Sequence, residues 1–127
     1  MKHLRIAKVG LALILVSAFV VACRQESSAP GPLPVEQVPA ALLKAFTKAK
    51  PEAKDLVNQI VSALQAQDYS NAYLELQNLA ARSGLDKEQQ SVTSRSVLTV
   101  NGLLQQAAQT KGDTKAAETL NTYRINK

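Results

Sequence analysis

The chain has 127 residues, with fifteen Lys and Arg against ten Asp and Glu, and it contains one cysteine, one histidine and no tryptophan. A lone cysteine excludes an internal disulfide framework, and with a lone histidine it excludes the usual Cys/His zinc site. In chain order, the first element is a basic head carrying Lys2, Arg5 and Lys8, followed by the apolar stretch Val9 to Ala22, softened only by Gly10 and Ser17. This pattern predicts a secretory signal. The competing reading, an uncleaved membrane anchor, needs roughly 20 apolar residues to span a bilayer, and the stretch supplies fourteen.

The apolar stretch closes on Val20-Val21-Ala22-Cys23. These four residues resemble the lipobox of bacterial lipoproteins, in which the cysteine is acylated and becomes the new N-terminus. The resemblance implies that residues 1–22 are a signal peptide and that Cys23 is the lipidation site. Residues 23–127 then number 105, and the loss of Lys2, Arg5 and Lys8 lowers the formal charge from +5 to +2. A nucleic-acid footprint is therefore not read from the overall charge. His3 leaves with the signal, so no Ser-His-Asp or Cys-His catalytic set can be assembled. Arg24 is not the aspartate that in Gram-negative lipoproteins often signals inner-membrane retention. The resemblance thus implies the periplasmic face of the outer membrane, where the source has one.

Residues 23–39 hold Pro30, Pro32, Pro34 and Pro39 and little that builds a core. They read as a tether, extended at about 3.1 Å per residue and able to hold a domain up to roughly 50 Å from the headgroups. A proline-rich ligand for a partner domain is the competing use of this composition.

Residues 40–127 turn to helix formers without period-two alternation, which predicts an all-α domain, a small helical bundle or a pair of helical hairpins. A short helix is expected over about Ala40 to Ala49, covering the apolar faces of the others. Pro51, tolerated in a first turn, opens a second helix to about Ala66. Its residues Ala53, Leu56, Val57, Ile60, Val61 and Leu64 draw one apolar stripe. Asp68 caps a third helix with the stripe Ala72, Tyr73, Leu76, Leu79 and Ala80, ended by Gly84. Asp86 with Gln89 forms a capping box that opens the longest helix, about Lys87 to Thr110. Within it Asn101-Gly102 is also a hairpin-turn signal. The helix is preferred because the residues after Gly102 lack β-branching, and Gly102 permits close approach of a neighbouring helix. Gly112 and Asp113 repeat the stop-and-cap pattern before a last helix, about Thr114 to Arg124.

Two turns, Gln67-Asp68-Tyr69-Ser70-Asn71-Ala72 and Gly112-Asp113-Thr114-Lys115-Ala116-Ala117, resemble the turn of tetratricopeptide repeats. The resemblance covers roughly Lys54 to Ala81 and Val97 to Arg124. It implies that Ala72 and Ala117 pack between paired helices and that the domain acts as a binding module. Thr114 departs from the aromatic that Tyr69 matches, and the two aspartates lie 45 residues apart where the repeat has about 34.

No carboxylate pair suggests a reaction. Asp68, Asp86 and Asp113 sit at caps, Glu52, Asp55 and Glu88 lie in first turns where the helix dipole favours them, and Glu75 and Glu118 read as solvated helix residues. The expectation is a chain that is not an enzyme, with no catalytic, cofactor or metal site and no small-molecule substrate. Tyr69 and Tyr73, four apart, share a helix face and are expected to place at least one ring in the hairpin core; if both are exposed they offer a partner an aromatic contact. Lys44, Lys48, Lys50 and Lys54 form a local basic cluster, read either as a solvated face or as a contact for anionic lipid or peptidoglycan. Two functions remain: a membrane-anchored scaffold that binds another envelope protein, or a structural lipoprotein touching peptidoglycan or lipid without a specific protein partner. A groove lined by polar residues of the second and fourth helices would mark the first, and a closed bundle the second.

Overall fold

A computed structural model of the chain describes residues 30–125. A 3-10 turn, Val35–Gln37, leads into α1 (Val38–Ala45), α2 (Pro51–Gln65), α3 (Tyr69–Ala80), α4 (Lys87–Thr110) and α5 (Thr114–Ile125), with no strand among the described residues. The chain is all-α. The expected signal segment, residues 1–22, and the expected lipidation site Cys23 lie outside the described residues.

The helix boundaries follow from local chemistry. Lys50 is extended, φ −63° and ψ 154°, because the residue before a proline is pushed out of the helical region. That requirement unwinds the chain ahead of Pro51, so α1 ends at Ala45 rather than near Ala49. The Thr47 hydroxyl donates to the Leu43 and Lys44 carbonyls, both at 2.9 Å, and thereby satisfies acceptors that the short helix leaves over. At the start of α4 the capping box forms: the Gln89 N–H donates to Asp86 Oδ1 at 2.8 Å, and the Asp86 N–H donates to Gln89 Oε1 at 3.0 Å. Helix α4 then passes through Asn101-Gly102 without a break. A Cβ placed on Gly102 would meet nothing within 4 Å, so the expected close approach of a neighbour does not occur there.

Each helix packs on the next in sequence, and α1 returns to lie against both α2 and α4. The core is aliphatic. Its largest fully buried side chains are Phe46, Leu42, Ile60, Leu76, Leu79 and Leu104, joined by Val38, Val57 and Val100. Predicted and observed stripes agree on α2 and most of α3, but Ala80 is exposed. On α4 the buried line is Thr93, Ser96, Val100, Leu104 and Ala107, with Val92 and Val97 half-buried against the same core. Ser96 satisfies its hydroxyl by donating to the Val92 carbonyl at 2.7 Å.

The described part of the proline-rich segment is not a spacer. Leu33 and Val38 belong to the core. The intervening chain is strapped to α4 by Arg95 Nε, which donates to the Gly31 carbonyl at 2.9 Å, and by the Thr99 hydroxyl, which donates to the Leu33 carbonyl. Prolines lack an N–H, and the strap fixes itself through its carbonyls instead. The packed domain therefore reaches back at least to Gly31, inside the stretch expected to be a tether.

Candidate functional site

Five helices running up and down give the bundle two ends. One holds the α1–α2 and α3–α4 turns; the other holds the α2–α3 and α4–α5 turns. At the second end both turns place a left-handed residue before a capping aspartate, Gln67 at φ 55° and Gly112 at φ 63°. Asp68 accepts from the Asn71 N–H at 3.2 Å and Asp113 from the Ala116 N–H at 3.1 Å. Lys115 Nζ lies 3.3 Å from Asp68 Oδ1 and joins the two turns. The turns are not equivalent inside. Ala72 is buried, but on α5 the buried alanine is Ala116, while Ala117 is exposed.

From this shared end α3 and α5 run in the same direction on either side of α4, and they pack against each other only weakly. The space between them is a groove of about 760 Å³ lined by Tyr73 and Gln77 of α3, Asn101, Gln105 and Gln109 of α4, and Leu120, Tyr123 and Arg124 of α5. At its floor the Tyr73 and Tyr123 rings meet edge to face, centroids 5.0 Å apart and planes at 86°, an arrangement aromatic pairs favour. Burial raises the Tyr123 pKa above its ordinary 10.0, and the neighbouring Tyr73 and Glu75 push the same way. Gln105 Nε2 reaches Asn101 Oδ1 only at 3.5 Å. The carboxamides of Gln77 and Gln109 make no hydrogen bond among the described residues.

No protein-family model, curated protein or solved structure matches this chain. The groove does not lie between the second and fourth helices, as expected for a scaffold, but among the third, fourth and fifth. Among the described residues it carries seven polar or aromatic side chains around Leu120, of which Arg124 alone is charged. Carboxamides both donate and accept, so the lining suits a neutral polar ligand rather than an ion.

The residues singled out from the sequence separate. Tyr73 is buried and Tyr69 half-buried, so they present no exposed aromatic pair. Asp68, Asp86 and Asp113 cap helices, and Glu75 accepts from Asn78 Nδ2 at 3.3 Å. Among the described residues no three His, Cys, Asp or Glu side chains come together as a metal site, and no helix is long and apolar enough to cross a membrane. Lys44, Lys48, Lys50 and Lys54 are all exposed at the first end. The groove's amide line was visible in the sequence only as residues four apart, Asn101, Gln105 and Gln109, the same spacing any solvated helix face shows.

Proposed function

We propose that this chain is an envelope lipoprotein, anchored through acylated Cys23, whose helical bundle is a non-catalytic binding module for an extended segment of another envelope protein. The observation that carries the reading is the carboxamide line along the groove. Residues four apart on a helix are separated by about 6 Å along its axis, and alternate residues of an extended chain by about 6.7 Å. Successive carboxamides of Asn101, Gln105 and Gln109 thus fall nearly in step with the outward-facing backbone groups of a strand. The mismatch is small enough for glutamine side chains, with three rotatable bonds, to absorb. Such a site reads backbone more than side chains, and Gln77 supplies a fourth amide from the opposite wall.

A photo-crosslinking residue at Gln105 in intact cells tests this, with the same residue at exposed Gln59 of α2 as the comparison. Recurrent adducts to one or two proteins from position 105 alone are expected. Equal, diffuse adducts from both positions would return the chain to a structural role against peptidoglycan or lipid.

A further inference from the structure

We infer that the end of the bundle formed by the α1–α2 and α3–α4 turns docks on anionic phospholipid headgroups and so holds the groove away from the membrane; the inference rests on the lipid-anchored reading above. The first observation is charge. Lys44, Lys48, Lys50 and Lys54 are exposed on α1, its following turn and the first turn of α2. Lys48 and Lys50 share an open cleft of about 580 Å³ with Arg82 of the α3–α4 turn. The carboxylates at this end are Glu52, Asp55, Asp86 and Glu88, of which Asp86 is held in its capping box. Lys87 adds a further cation. At the opposite end Asp68 and Asp113 face Lys111 and Lys115, with no comparable excess.

The second observation is reach. Seven chain steps separate Cys23 from Pro30, which bounds the span to about 25 Å even when fully extended. The strap that follows is fixed beside Arg95 of α4. The same helix receives the end of α1 six residues earlier, where Gln89 Nε2 donates to the Ala45 carbonyl at 3.2 Å, so the strap enters about 9 Å along α4 from the basic end. Gln105 lies about 24 Å along α4 from Gln89, about 15 Å beyond the strap and so farther from the basic end. A short leash that enters near the basic end brings that end to the bilayer first. Leu43, 46% exposed, stands beside Lys54 around a shallow hollow of about 260 Å³, and an apolar side chain flanked by lysines fits the headgroup boundary.

The test is amine-reactive labelling of the lipidated chain in vesicles of zwitterionic phospholipid alone or with roughly one part in four anionic phospholipid, read residue by residue by mass spectrometry. Labelling of Lys48, Lys50 and Lys54 is expected to slow about fivefold relative to Lys111 on the anionic vesicles only, and the protection to fade at high salt. Replacing Lys48, Lys50 and Lys54 together with Gln should abolish the protection of Lys44. Equal labelling of vesicle-bound protein on both compositions overturns the docking while leaving the anchor intact. A chain that fails to join either vesicle overturns the anchor and the docking with it.

Discussion

Thr93 buries its hydroxyl with no hydrogen-bond partner among the described residues, although a helical threonine ordinarily bonds the carbonyl one turn back, as Thr119 does with Lys115 at 2.8 Å. An unsatisfied buried hydroxyl costs about 1–3 kcal/mol. Thr93→Val keeps the shape and removes the hydroxyl, so it should raise the urea midpoint by about 1 kcal/mol of stability; an unchanged or lower midpoint would show that the hydroxyl is satisfied. Gly102 offers a second gain. It sits inside α4 with open space where a Cβ would be, and Gly102→Ala should add about 1 kcal/mol, measured by thermal unfolding. Tyr123 sets a pH dependence. Its pKa is raised in the folded chain, so the native state holds the proton more tightly than the unfolded state. That contribution is complete below the ordinary value of 10.0 and is lost as pH rises through the folded value. Tyr123→Phe, which keeps the ring contact, should therefore match the parent in pH dependence at neutral pH and lose less stability above pH 10.

Among the elements, those specified by neighbouring residues were readable from sequence. The capping box fixes the start of α4 through a contact three residues long, and its predicted span, Lys87 to Thr110, is the span observed. Asp68 and Asp113 mark their helices in the same way. The strap was misread because its partners are distant: Gly31 and Leu33 bond residues 64 and 66 positions away, and four prolines with two buried aliphatics look locally like a spacer. Leu33→Ala should then cost about 2 kcal/mol, near the lower end for buried leucines, where a free spacer would show no change; denaturant titration decides it. The groove was missed for a related reason. Its amide spacing is a property of α4, but its concavity comes from α3 and α5 standing apart, which no local pattern records. Hydroxyls on the core face of α4 likewise leave no mark in apolar periodicity: Thr93 and Ser96 are buried although neither is apolar.

For the whole molecule, the proposed arrangement divides the work between the two ends. The basic end lies close to where the chain leaves toward Cys23, and the amide groove opens along the half of α4 farther away. A tether of roughly 50 Å would leave orientation free, whereas the seven steps from Cys23 to Pro30 give about half that reach. Every part of this arrangement depends on acylation of Cys23, so the most direct measurement is the intact mass of the chain extracted from membranes, compared with Cys23→Ser. The account predicts a mature chain beginning at Cys23 and heavier than its 105 residues by the mass of its acyl chains, with Cys23→Ser left unprocessed or lost from the membrane. A membrane-bound chain with an unmodified Cys23 thiol, or one still beginning at Met1, would contradict it.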